Sequence, residues 1–334
     1  MGSDANWRSF AVYLTAGAAA LALGTLAIAY IIDPFDTGRS TWFEKPGVRP
    51  QGPRTAGASR GRDLSFNAGI FGNSHIQLVS PDRLRALTGL SFVQLSIPAT
   101  GPREQFALMD WFIRHHPTAK VLVIGADRLW CTADPALSNE KPFPFWLYSS
   151  QRGEYVRGLL RYHVLEEITR RAAYLLSKSP NRARQDGYWD YEPIYSALGY
   201  DRDPLLRARL DHRPDSDYID NRTARFPAAE RLSELAETLP DNVGITLVFP
   251  PIYKTLLPEQ GSPGEEADRN CKAALTAALG SRVSKAVVDW RRERPELHAP
   301  ELFFDQTHYR RPLAERVERE VAQRAMGAAA PREN

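Results

Sequence analysis

The chain has 334 residues, 43% hydrophobic and 25% charged, which is enough apolar content to bury a full core and excludes a disordered protein. Its formal net charge of +3 is too small for whole-molecule attraction to nucleic acid, so no nucleic-acid partner is expected. Cys131 and Cys271 permit one disulfide in an oxidising compartment, but a buried free thiol at each position is the more ordinary expectation.

After a short tail (1–9), residues 10–32 form an uncharged run rich in Ala and Leu, long enough to cross a hydrocarbon layer of ~30 Å as one helix. This predicts a membrane anchor. A cleaved signal peptide is the rival, because Ala27-Ile28-Ala29 offers a small-x-small site, but its apolar core is normally only about 7 to 15 residues. Arg8 precedes the run, whereas Arg39, Lys45 and Arg49 follow it together with Asp33 and Asp36, so loop charge does not choose an orientation. Segment 33–64 is rich in Pro, Gly and Arg and lacks periodicity, which predicts a juxtamembrane linker.

Residues 65–334 alternate short apolar runs with helical patterns. Strands are expected at 68–71, 92–97, 120–125, 243–249 and 287–290, and helices at 81–87, 102–116, 227–238, 265–279 and 312–324. The strand runs are continuously apolar, as strands covered on both faces are. The expected fold is therefore an α/β/α sandwich around a doubly wound parallel sheet, with ligands meeting loops at the C-terminal strand ends.

The rhythm is lost over 129–225, which reads as a mostly helical insertion. Within it, 151–184 carries Arg152, Arg157, Arg161, Arg170, Arg171, Lys178, Arg182 and Arg184 among apolar residues, predicting a basic amphipathic helix. A solvated face is the ordinary reading, and lipid headgroups or an anionic polymer are the alternatives. Trp130, Phe143, Phe145, Trp146 and Tyr148 fit core packing better than stacking on sugar rings.

Chemistry concentrates at two places. Gly72-Asn73-Ser74 directly follows the first domain strand, and Asp305-Gln306-Thr307-His308 directly precedes the last helix. A serine hydroxyl is a weak nucleophile until a base takes its proton, and a histidine does so best when a carboxylate fixes its tautomer. Either piece alone is common as a turn or cap. Together they place Ser74, His308 and Asp305 on loops gathered at one sheet edge. His75 is expected to line the site without serving as the base, since adjacent side chains after a strand point apart. His115 and His116 lack the i, i+4 spacing of a helical metal pair and read as helix-terminal charge. Asp127, ending the third strand, fits either a substrate contact or a cap for the next turn. Phe249-Pro250-Pro251-Ile252-Tyr253 leaves the fourth strand extended and shapes a pocket wall.

These residues carry a family resemblance. Phe71-Gly72-Asn73-Ser74 resembles the first block, and Asp305-Gln306-Thr307-His308 the last block, of the SGNH (GDSL-like) hydrolase superfamily. The run into Ile32-Asp33-Pro34-Phe35, the loop from Ser96 to Gly101 and the Tyr309 that follows His308 look more narrowly like membrane-anchored members accompanying polysaccharide O-acetylation and cell-wall acyl transfer. The likeness covers about 68–128 and 243–324. It implies Ser74 as nucleophile, His308 as general base, Asp305 as its orienting carboxylate, and the Gly101 and Ser74 N–H groups as oxyanion donors. The family's third block, Gly-x-Asn-Asp, is replaced by Gly125-Ala126-Asp127, so its asparagine donor is missing, a loss on the order of a hundredfold in rate unless Asn73 or an insertion residue substitutes.

The resemblance further implies an envelope-facing serine acyltransferase or esterase acting on a polysaccharide through acyl-Ser74. Its chemistry needs no metal or dissociable cofactor, and an integral-membrane acyltransferase is the implied partner. A catalytically inactive glycan-binding or scaffolding subunit is the alternative from another class. A lipid esterase resting on the basic helix is a third.

Overall fold

The computed structural model describes residues 3–45, 51–138, 141–177, 184–280 and 287–329. In chain order its elements are α1 (Ser3–Ile32), α2 (Pro53–Arg60), β1 (Ala68–Phe71), α3 (Pro81–Thr88), β2 (Phe92–Gln94), α4 (Pro102–His115) and β3 (Val121–Gly125). Next come α5 (Phe145–Tyr148), α6 (Arg152–Leu159), α7 (Tyr162–Leu175), α8 (Glu192–Ala197), α9 (Pro204–Ala208) and α10 (Pro227–Thr238). The chain closes with β4 (Gly244–Phe249), α11 (Pro263–Ala277), β5 (Val287–Asp289) and α12 (Arg311–Ala329).

The five strands form one all-parallel sheet in the order β2-β1-β3-β4-β5. Ala68 of β1 is in register with Phe92 on one side and Val121 on the other, so the winding direction reverses between β1 and β3. All but the β5 strand are buried along their whole length. One face packs Ile70, Val123 and Val248 against Leu84 of α3 and Leu313, Val317 and Val321 of α12. The other turns Phe71 onto Phe112 of α4, with ring centroids 5.7 Å apart, and Phe249 toward Lys272 of α11. Continuous apolar strands follow from this two-sided burial. The expected strand at 92–97 is shorter, but its ladder continues through Leu95 N–H to Ile70 O (2.8 Å) and Ile97 N–H to Gly72 O (3.0 Å).

The chain divides into two compact units: Met1–Arg62 with Pro144–Ala183, and Asp63–Phe143 with Arg184–Asn334. The expected insertion 129–225 is thus shared between them. Segment 33–64, expected as a linker, contains α2 and is largely folded in the first unit. Asp33 takes a left-handed φ of 45°, and its carboxylate accepts from Thr37 Oγ1 (2.9 Å) and the Gly38 N–H (2.8 Å). Phe35 is buried against Trp146, with centroids 5.6 Å apart. Such order rests on side-chain-to-backbone bonds, which leave no hydrophobic period. Arg49 and part of the 33–64 segment (46–50) lie outside the described residues, as do Lys178 and Arg182 of the basic stretch. Its described residues form two helices, α6 and α7, and Arg171 is buried beside Asp36 rather than solvated.

Trp130, Trp146 and Tyr148 are buried, and the Trp130 indole donates to Gln105 Oε1 at 2.8 Å, so these three are packing residues; Phe143 and Phe145 are half-buried. His115 and His116 sit at the end of α4, where each Nδ1 is 2.8 Å from a carbonyl one turn back.

The expectation of two free thiols is corrected. Cys131, in the turn after β3, is disulfide-bonded to Cys271 in α11 across a sequence separation of 140. Nothing in the sequence spacing links positions so distant; the fold brings their Cα atoms to 5.4 Å. Closing so long a loop stabilises mainly by restricting the unfolded chain. A Cys131→Ser/Cys271→Ser variant is expected to lose about 2–5 kcal/mol, seen in urea titration as a lower midpoint for the sheet-bearing unit. An unchanged midpoint would show that the bond contributes nothing to folding.

Candidate active site

The site lies in the sheet-bearing unit, at the C-terminal ends of the strands, beside the reversal between β1 and β3. There β1 ends in Gly72, whose φ of 146° favours glycine. A Cβ on Gly72 would lie 2.8 Å from Ile76 Cγ2 and 3.1 Å from Gly125 O, and one on Gly125 would lie 2.9 Å from Ile76 Cβ. Two glycines therefore let Ile76 sit directly on the ends of β1 and β3. Asn73 caps the following single 3-10 turn, Ser74–Ile76, by accepting the His75 N–H at 3.0 Å. Ser74 begins that turn and is half-buried.

The second loop folds back on itself before α12. Phe304 N–H donates to His308 O (2.8 Å), and Phe303 bridges Tyr309. Asp305 Oδ1 accepts the N–H groups of Thr307 and His308, each at 2.8 Å. The Phe249–Tyr253 exit anchors this loop, with the Tyr253 N–H donating to Gln306 O at 2.8 Å. Gln306 Nε2 in turn donates to Thr255 Oγ1 at 2.8 Å.

These two loops bring three residues into line. His308 Nε2 is 2.9 Å from Ser74 Oγ, and His308 Nδ1 is 2.9 Å from both Asp305 oxygens. Burial works to raise the Asp305 pKa, but the hydrogen bond and charge of His308 and the two backbone N–H groups outweigh it, lowering it to about 2. The carboxylate therefore stays ionised at neutral pH and holds the proton on His308 Nδ1, leaving Nε2 to face the hydroxyl. This arrangement can take a proton from Ser74 as its oxygen attacks a carbonyl.

His75 lines the site as expected, its ring edge-on to His308 at 5.3 Å. Burial, reinforced by His308 and Arg128, lowers its pKa to about 3. It is neutral at pH 7 and puts no second cation beside the triad.

Asp127 takes the cap role left open for it, and the side-chain amide of Asn73 and the backbone N–H of Gly101 are both engaged elsewhere. Asp127 is buried; its Oδ1 accepts the Leu129 N–H (3.0 Å), which is the turn-capping role, and its Oδ2 accepts Asn73 Nδ2 at 2.5 Å. Burial raises the Asp127 pKa despite these bonds. Asn73 Nδ2 also reaches Thr100 O at 3.4 Å, so its amide is engaged on both sides. The Gly101 N–H donates to Glu104 Oε2 at 3.0 Å as the cap of α4. Among the described residues, no backbone acceptor takes the Ser74 N–H, which remains a candidate oxyanion donor.

Two residues that the sequence pattern did not single out complete the wall. Tyr191, which precedes α8, and Tyr195, within it, set their rings 5.5 and 5.0 Å from that of His308. The Tyr191 hydroxyl donates to Tyr309 O at 2.8 Å, fixing α8 to the histidine loop. Burial raises both phenol pKa values, with the Asp305 charge adding to each. Their i, i+4 spacing, which puts both rings on one helix face, was the available signal.

No family model matches this chain, and no curated protein matches it significantly.

Two groups at the site make its folding acid-sensitive. His75 has its folded pKa lowered from 6.5 to about 3, so its unfolded form binds the extra proton and stability falls as pH drops below 6.5 toward 3. Asp305, lowered from 3.8 to about 2, adds a loss as pH drops below 3.8. Urea midpoints measured from pH 7 to pH 4 should therefore fall in the wild type and fall less steeply in His75→Gln; parallel curves would contradict this.

Proposed function

We propose that this chain is a membrane-anchored SGNH-like serine acyltransferase or esterase that moves an acyl group, acetyl in the simplest case, on or off an envelope polysaccharide. The observation that carries the reading is the Ser74–His308–Asp305 line, with both contacts at 2.9 Å. His308 would deprotonate Ser74 as it attacks the acyl carbonyl, and would then return that proton to the leaving oxygen. A sugar hydroxyl or water, deprotonated by the same imidazole, would release the acyl group. Half-burial of all three side chains leaves the serine within reach of a polymer hydroxyl.

Two features support placement outside the cytoplasm on a retained anchor. The Cys131–Cys271 disulfide suits an oxidising compartment. One helix, Asn6–Ile32, is long and apolar enough to cross a membrane. Its end is built into the first unit: Ala29 is fully buried, and Ser40 Oγ donates to Ile31 O at 2.8 Å. Cleavage after Ala29 would sever a packed element, which favours an anchor over a signal peptide.

The engaged Asn73 amide and Gly101 N–H, with an acid at position 127, favour a second reading: a glycan-binding subunit that has lost turnover. The full-length protein in detergent, assayed with p-nitrophenyl acetate with and without an acceptor oligosaccharide, separates the two. The catalytic reading predicts acyl release that falls to background in Ser74→Ala, and acetylated sugar if the protein is a transferase. Asp127→Asn removes the carboxylate that accepts Asn73 Nδ2, which would release that amide as a donor, and is expected to raise kcat about tenfold or more. Equal background signals from all three proteins would favour the glycan-binding subunit.

A further inference from the structure

The first unit presents a surface that its own anchor places at the lipid boundary. Most of α1 is exposed, as a lipid-facing helix is, but one side of its last two turns is covered, while Ala27, Ile28 and Tyr30 stay exposed. Thr25, Leu26, Ile31 and Ile32 are half-buried and Ala29 is fully buried, because α6 and α7 pack there. The Tyr30 ring lies 6.5 Å from that of Tyr155 on α6, and the Tyr155 hydroxyl reaches Asp33 Oδ1 at 3.4 Å. At ~1.5 Å per residue, two turns span only about 11 Å. A helix packed against that stretch of a membrane span lies within the headgroup layer or the outermost hydrocarbon.

What α6, α7 and their junction expose fits that depth. Leu160 is 54% exposed, Tyr162 88% and Leu165 45%. Interleaved with them, Arg152, Arg157 and Arg161 are exposed, and no carboxylate pairs with any of them among the described residues. The nearby acids are Glu154, which is exposed, and Glu166 and Glu167, both paired with Arg170, so the surface is net positive. Large apolar side chains facing water gain by entering the acyl boundary, while guanidinium groups without a carboxylate partner bind lipid phosphates.

We propose that α6 and α7 form an interfacial docking element, inserting Leu160, Tyr162 and Leu165 among lipid chains and holding anionic headgroups through Arg152, Arg157 and Arg161. It rests on α1 being a retained anchor and is independent of any chemistry at Ser74. It would fix the first unit against the bilayer instead of leaving it on a loose tether.

The test uses full-length protein carrying Tyr162→Cys, labelled with an environment-sensitive fluorophore; the two native cysteines are paired, so the introduced thiol reacts alone. Ala19→Cys in the middle of α1 gives the lipid reference, and the free cysteine adduct gives the water reference. In vesicles of phosphatidylcholine with phosphatidylglycerol, the position-162 label should be quenched by lipid-borne nitroxide and protected from aqueous dithionite. Protection should exceed that in pure phosphatidylcholine, and Arg157→Glu/Arg161→Glu should reduce it by about fivefold or more. A position-162 label reduced as fast as the free adduct, beside a protected Ala19 label, would overturn the docking element alone. Protection unchanged by phosphatidylglycerol and by the charge reversal would overturn its headgroup-binding half. Membrane-free protein lacking residues 1–29 would overturn the anchor and the element with it.

Discussion

The contact of Ile76 with the backbones of Gly72 and Gly125 governs the sheet-bearing unit. Neither glycine could carry a Cβ without displacing Ile76. Seating an isoleucine on two adjacent strand ends closes the core at the winding reversal and forces the chain after β1 into one tight turn. Ser74 begins that turn, so its position is a by-product of core closure rather than of a separate loop. The same packing sets the exit of β3, whose Asp127 ties back to Asn73. Strand-end geometry, hydrophobic closure and the placement of Ser74 are thus one constraint.

Around Ser74 the charges are arranged to leave one imidazole free to work. Asp305 is kept ionised by donors within its own loop, His75 is kept neutral by burial, and two phenols are kept neutral against the face of His308. The donors that would stabilise an oxyanion are less complete, because Gly101 caps α4 and Asn73 is held by Asp127.

Much of this was legible in the residues. The five strands could be read because burial on both faces makes them continuously apolar, and Ser74, Asp305 and His308 because each flanks a strand or helix boundary. The cap at Gly101 was legible in principle, since Pro102 at the first helical position and Glu104 two residues later mark a helix start that uses the Gly101 N–H. The order of 33–45 and 51–62 was not, because Asp33 and its Thr37 and Gly38 partners make a turn without periodicity. Nor was the disulfide, whose partners only the folded sheet brings together, nor α8, a six-residue helix inside a stretch of broken rhythm.

The central claim is that His308 activates Ser74. Treating the full-length protein with a fluorophosphonate and mapping the adduct by peptide mass spectrometry tests it without needing the natural substrate. The account predicts one adduct, on Ser74, formed in the wild type and lost or greatly slowed in His308→Ala. An unmodified Ser74 in folded wild-type protein, or labelling equally fast without His308, would contradict it.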